Sequence, residues 1–244
     1  MCCGDSLFFA GASGVAAVPG KLCRGCRMAP PAFERAVAYG VYQGRMRAAI
    51  HALKYGRLRP AARGLGRMLA AAMAELAGDA PAEMLVVPVP LHRTKYAERG
   101  FNQARALAES ALGQLRRTRP TWRLRLASKT LMRLRATDSQ AGLDPHERRM
   151  NLRGAFSVSD AQAVKGRHVL LVDDILTTGA TARAAAQALR KAGAASVWVA
   201  TLARARREET AGDSDSLDTD SVGGAPVAEF EGESVHSSQH QPSF

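Results

Sequence analysis

The stretch from His168 to Thr181, His-Val-Leu-Leu-Val-Asp-Asp-Ile-Leu-Thr-Thr-Gly-Ala-Thr, constrains the fold of this chain more than any other. His168 to Val172 is a short, apolar, β-branched run, the pattern of a strand buried on both faces, and such strands belong to parallel sheets covered by helices. The run is expected to stop at two carboxylates, Asp173 and Asp174. After Ile175 and Leu176 come the small residues Thr177 to Thr181, which open an alanine-rich helical segment reaching Lys191. Strand, turn and helix N terminus follow one another, and the fold class they imply is α/β.

The turn has the chemistry of a phosphate site. The first N–H groups of a helix lack partners inside it, the aligned peptide dipoles favour an anion there, and Gly179 lets the backbone approach a ligand closely. The threonine hydroxyls add donors. Asp173 and Asp174 suit another part of a ligand, because carboxylates accept hydrogen bonds from the vicinal hydroxyls of a ribose, alone or beside a magnesium ion. A sugar carrying a 5-phosphate satisfies both halves. A helix cap made by Thr178 or Thr181 accounts for the turn alone. It leaves unexplained two adjacent carboxylates at the end of an apolar strand, costly unless solvated or used, at the edge where α/β sheets bind ligands. This stretch resembles the phosphoribosyl pyrophosphate (PRPP) loop of type I phosphoribosyltransferases, a pattern of apolar residues, two acidic residues and Thr-x-Gly-x-Thr. The resemblance implies that Asp173 and Asp174 meet the ribose hydroxyls. It implies that Thr177, Thr178, Gly179, Ala180 and Thr181 surround the 5-phosphate, with Mg²⁺ accompanying PRPP.

With 244 residues, 46% of them hydrophobic, the chain can bury one good-sized core plus a small appendage. No run of about 18 apolar residues exists, so no membrane span is expected. Leu7 to Pro19 is small and apolar but follows no basic segment, so it is not read as a signal peptide, and a cytoplasmic protein is the expectation. The net charge of +12 hides an asymmetry: residues 1–207 carry 34 basic against 13 acidic side chains, while residues 208–244 carry 9 acidic and no Lys or Arg. A field of that sign attracts phosphates or nucleic acid, although an arginine-rich solvated surface has the same composition.

Residues 1–32 hold all four cysteines, Cys2, Cys3, Cys23 and Cys26. Cys23-Arg-Gly-Cys26 is a C-x-x-C knuckle, and a second thiolate pair would complete a Zn²⁺ site using Cys3, Cys23 and Cys26, with Cys2 fitting less well because adjacent cysteines seldom share a metal. Ala36 to Tyr42 reads as a strand, Met46 to Lys54 and Pro60 to about Leu76 as amphipathic helices, and Glu83 to Pro90 as a second buried strand. Lys54 ends its helix as ordinary dipole complementation or else faces the ligand. Residues 91–103 read as a polar loop, followed by a helix for which Asn102 is a candidate N-cap. If the strand at 83–90 lies parallel beside that at 168–172, His92, Arg93, Lys95 and Arg99 meet a pyrophosphate at the same sheet edge, with Asn102 and Gln103 in the same loop. Residues 91–153 hold 15 basic and 5 acidic side chains, and the irregular part at 116–155 reads either as a mobile lid or as a nucleic-acid groove poor in stacking aromatics beyond Trp122. Ser196 to Leu202 is a further strand, and the acidic segment from Glu208 reads as a disordered tail.

Taken together, the motifs resemble the ComF family, phosphoribosyltransferase-like proteins related to a competence factor for DNA uptake. The residues that carry this are His51-Ala-Leu-Lys-Tyr-Gly56, Pro88-Val-Pro-Leu-His92, Arg99-Gly-Phe-Asn-Gln-Ala104, Gln140, Glu147-Arg148, Asn151 to Phe156 and Leu171 to Thr181. The resemblance implies a type I phosphoribosyltransferase fold over residues 33–207, PRPP as ligand, and single-stranded DNA or the competence machinery as partners. It also implies an N-terminal four-cysteine zinc knuckle, which residues 1–32 match in part. Cys3-Gly4 reads as the end of a C-x-x-C-G knuckle whose first cysteine lies one residue before Met1. The codon immediately upstream of Met1 is therefore expected to encode cysteine, and sequencing that position checks the zinc reading.

Overall fold

The computed structural model describes residues 24–55, 60–135, 152 and 154–205. Cys2, Cys3, Cys23, Gly56, Gln140, Glu147, Arg148, Asn151 and the acidic tail lie outside the described residues. In chain order the elements are α1 (Arg24–Met28), β1 (Ala36–Val41), α2 (Gly44–Tyr55), α3 (Ala61–Ala74), β2 (Glu83–Pro88), α4 (Arg93–Arg99), α5 (Gln103–Thr118), β3 (Arg123–Leu126), β4 (Leu131–Arg133), β5 (Phe156–Val158), β6 (His168–Leu176), α6 (Ala180–Lys191) and β7 (Ser196–Arg204).

Five strands form one parallel sheet in the order β1-β7-β6-β2-β3, and β4 pairs antiparallel with β5 in a separate ribbon. Alternation within each strand divides the apolar side chains between two layers. Val37, Met84, Val86, Leu170, Val172, Trp198 and Ala200 pack on one face with α2, α3 and α5. Ala36, Val87, Val169, Leu171, Val197 and Val199 pack on the other with α6 and the β4–β5 ribbon. Leu170, Leu171, Val199 and Ala200 are fully buried, as expected of central strands sealed on both sides. Among the described residues, no helix is long and apolar enough to cross a membrane.

Three local readings are corrected. β6 runs on through both aspartates to Leu176, because β7 continues to pair with it as far as Leu176 against Arg204. Residues 93–99 form a helix rather than a loop, opened by the His92 ring, whose Nδ1 accepts from the Thr94 N–H at 3.4 Å, and closed by Gly100 at φ 74°. Within the stretch read as a lid or groove, Arg123–Leu126 is an integral edge strand. Its Leu124 enters the core while Arg123 and Arg125 stay exposed, a charged edge that discourages further pairing.

α3 and α5 approach closely because Gly66 presents no side chain to Ser110. A Cβ there would sit 2.3 Å from both Ser110 Cβ and Oγ. Gly66→Ala should destabilise the fold by about 1–3 kcal/mol through overpacking. Gly64→Ala, with open space around its Cβ in the same helix, should stabilise it by about 0.5–1 kcal/mol through reduced chain entropy. Thermal or urea melts of the two variants check the contrast.

Candidate functional site

β2 and β6 separate at their carboxyl ends. Their parallel pairing ends at Pro88 opposite Val172, with one further bond from the Val89 N–H to the Val172 carbonyl at 2.8 Å. Beyond that point β2 turns away into residues 89–92, and β6 keeps a neighbour on its β7 side. The chain leaves β2 toward β3 and leaves β6 in the opposite direction toward β7, so this divergence is a topological switch point, where open α/β sheets bind ligands. The two expected strand-end segments therefore share one edge.

Asp173 and Asp174 lie at this point, and strand alternation carries them to opposite faces. Asp174, 4% exposed, turns to the layer of α2, where its Oδ2 lies 2.6 Å from Lys54 Nζ. Burial acts to lower the Lys54 ammonium, but Asp174, aided by Asp173, more than offsets it and leaves Lys54 raised. Asp173, half-buried, turns to the layer of α6, and its Oδ1 accepts the Asp174 N–H at 2.8 Å. Burial, with the Asp174 charge beside it, pushes the Asp173 carboxyl well above its ordinary range. Arg133 of β4 belongs to the same neighbourhood: burial pulls its guanidinium down, Asp173 opposes that, and its Cζ lies 5.5 Å from the Phe156 ring centroid.

Past Leu176, residues 177–179 turn into α6. Gly179 takes the N-cap position with φ 75°, a left-handed conformation strained for other residues, and this N-cap residue supplies no side-chain bond to the helix. The plain-cap reading therefore fails at Thr181, and Thr178 gives only a long contact, its Oγ1 accepting from the Ala180 N–H at 3.4 Å. A small concavity beneath this turn is lined by Asp173, Thr177, Gly179 and Thr181, with Thr201 of β7 paired opposite Asp173. Ala180 is buried at the start of the helix.

The cationic segment divides by role. Asn102 caps α5 through Oδ1, accepting from the Arg105 N–H at 3.2 Å, and its Nδ2 donates to the Val89 carbonyl at 3.0 Å, tying the helix start to the end of β2. Gln103 is buried, and its Oε1 accepts from Arg99 Nη1 at 2.6 Å. His92 caps α4. Arg93 and Lys95 are exposed, while Arg99 is half-buried with its Cζ 5.5 Å from the Tyr55 ring centroid. His51 stands 4.6 Å from the same ring. Lys54, Tyr55, Arg99 and Asp174 thus form one connected cluster, which Arg93 and Lys95 do not join. No local pattern marks Arg133 or Thr201, whereas Lys54 reads from sequence either as helix-end dipole complementation or as facing the ligand. Cys26 is buried, and Arg183 of α6 donates to its Sγ at 3.4 Å and to the Ala29 carbonyl at 2.5 Å. That links α1 to the helix of the turn.

A parallel sheet flanked by helices, with an acidic pair and a glycine-capped helix at its switch point, defines a type I phosphoribosyltransferase fold. The phosphoribosyl transferase domain family matches residues 103–230. The DNA utilization protein YhgH of Salmonella typhi is 34% identical over 188 residues, covering 76% of this chain and 79% of that protein. Competence protein F of Haemophilus influenzae is 31% identical over 186 residues, covering 75% and 78%. Competence protein ComFC of Bacillus subtilis is 36% identical over 121 residues, covering 49% and 44%. The chain belongs to the ComF family of phosphoribosyltransferase-like proteins.

The raised Asp173 carboxyl has a sign that melts can read. Between its ordinary 3.8 and its raised value, the unfolded chain has lost the proton and the folded chain retains it. Stability therefore falls as pH rises through that window, and the penalty persists above it. Ligand-free Asp173→Asn should melt at a higher temperature than wild type at neutral pH, with the gap closing as pH falls to about 3. A variant that melts lower at neutral pH contradicts the burial cost.

Proposed function

We propose that this chain binds PRPP at the divergence of β2 and β6. The observation that carries the reading is the helix N terminus at Gly179, an N-cap residue that supplies no side-chain bond, beside the acidic pair. The 5-phosphate sits against the N–H groups and hydroxyls of residues 177–181, where the helix dipole favours it. The ribose hydroxyls donate to the carboxylates, and the pyrophosphate lies toward Arg99 with His92, Arg93 and Lys95 nearby. Mg²⁺ travels with the pyrophosphate, and the oxygen donors of the acidic pair and threonines suit so hard a cation. In the transfer reaction, an acceptor lone pair forms a bond to ribose C1 while the C1–O bond to pyrophosphate breaks. Pyrophosphate leaves with that electron pair. The protein's part is positioning and neutralisation of the leaving group.

The relatives' names, DNA utilization protein and competence protein, support a role in DNA use. They also support a second reading, a nucleic-acid-binding factor in which PRPP regulates. One surface favours it: Arg116, Arg117, Arg119, Arg123 and Arg125 are all exposed around the end of α5 and along β3. Zinc at Cys3, Cys23 and Cys26, and a location in the cytoplasm, belong to the same proposal.

Isothermal titration of PRPP with Mg²⁺ should give micromolar binding that disappears in the Asp173→Ala, Asp174→Ala double variant. Pyrophosphate release with an added acceptor then identifies the transferase. Absence of binding to the intact protein sinks the PRPP reading. In that case, single-stranded oligonucleotide affinity that drops steeply with salt marks the second.

A further inference from the structure

The acidic pair is asymmetric in a way its sequence hides. Only one of its members, among the described residues, has a cation in direct contact, and that cation comes from the helix layer on its own face of the sheet: Lys54, at the last turn of α2. A carboxylate as enclosed as Asp174 is expensive unless paired, and Lys54, itself 21% exposed at the side chain, supplies the pair. Asp173, one residue away, has its Oδ1 on the Asp174 N–H and shares the field of Lys54 without touching it.

The surroundings keep Lys54 in this role. Arg99 is the other cation nearby, and it opposes Lys54 by like charge. Arg99 is instead held against Tyr55 and on Gln103 Oε1. From the opposite layer, Arg133 acts on Asp173. Each carboxylate thus has its own cation on its own face, and the contact distance belongs to Lys54 and Asp174.

We propose that Lys54 is a positioning residue of the site: its 2.6 Å contact with Asp174 orients that carboxylate, the member of the acidic pair that receives a ribose hydroxyl. A carboxylate has about four lone-pair sites, and a lysine contact at Oδ2 leaves others for the sugar. Lys54 touches no part of the ligand in this arrangement and acts through Asp174. The inference rests on the PRPP reading above.

The test measures PRPP–Mg²⁺ binding by titration, and ribose 5-phosphate by competition, for wild type, Lys54→Met, Lys54→Arg, Asp174→Asn and the Lys54→Met, Asp174→Asn double variant. All are compared at a temperature below the lowest melt. Lys54→Met should weaken PRPP and ribose 5-phosphate by the same factor, roughly tenfold or more, as expected for loss of a buried charged partner. Lys54→Arg should recover most of that loss. The double variant should bind no worse than Asp174→Asn alone, the non-additivity of residues acting as one unit. A loss confined to PRPP means that Lys54 meets the pyrophosphate directly and overturns the proposal, as do wild-type affinity in Lys54→Met and additive losses in the double variant. If Lys54→Met does not fold, the Lys54→Arg and Asp174→Asn arms still decide: arginine binding as weakly as Asp174→Asn overturns the proposal, and near-wild-type binding supports it. Failure of wild type to bind PRPP is a different outcome, since it removes the PRPP reading itself.

Discussion

The structure depends on β6 being a central strand that outlasts one of its neighbours. Up to Val172 it is paired on both edges and covered on both faces, so only apolar residues fit. Beyond Val172 the β2 edge is gone while β7 remains. There the strand keeps its direction but no longer meets a neighbour's ladder on that side. Charged residues become tolerable at the first position where the strand is half released, and Asp173 and Asp174 occupy it. The segment stays rigid because β7 holds it to Leu176. A rigid, charged, one-sided strand end is a good platform for a polar ligand, since its groups need little ordering on binding.

From that platform the two layers acquire different chemistry. The α2 layer brings Lys54, Tyr55 and Arg99 to the Asp174 face, and the α6 layer brings the uncapped turn and Arg133 to the Asp173 face. One alternation of a strand thereby sorts the site into two halves. Gly179 completes the second half: its left-handed conformation lets the chain turn from β6 into α6 within three residues. Asn102 serves the first half from a distance, by fastening the start of α5 to the end of β2.

The arginine-rich character of the chain is spread over the fold rather than gathered at the site. Arg35, half-buried, pairs with Asp79 at 2.5 Å, and Arg123 and Arg167 both meet Glu83 at 3.3 Å. The two Glu83 pairs, exposed on both sides, contribute little to stability. The uncompensated excess makes a general positive field, which draws anions toward the molecule without specifying which one binds.

Much of the architecture was legible in the amino-acid sequence because it rests on local regularities. The apolar run at 168–172 marks a doubly covered strand, the leucine spacing marks α3 and α5, and the Thr-x-Gly-x-Thr pattern after two acids marks the turn. What sequence reasoning missed has a different origin. The length of β6 was set by its pairing with β7, which overrides the expectation that two carboxylates end a strand. The edge strand β3 alternates over only four residues, too few for a periodic signal. α4 is shorter still on apolar content, with no buried residue, and is held by its cap and Gly100 rather than by packing. Lys54 and Asp174 stand 120 positions apart. No spacing rule joins them: the pair exists only once α2 lies on the face to which alternation turns Asp174. The sequence by itself determined where the acidic pair and the glycine turn fall, because their chemistry is local. Tertiary structure decided which carboxylate has a cation in direct contact and which faces the turn, because that depends on which layer each side chain enters.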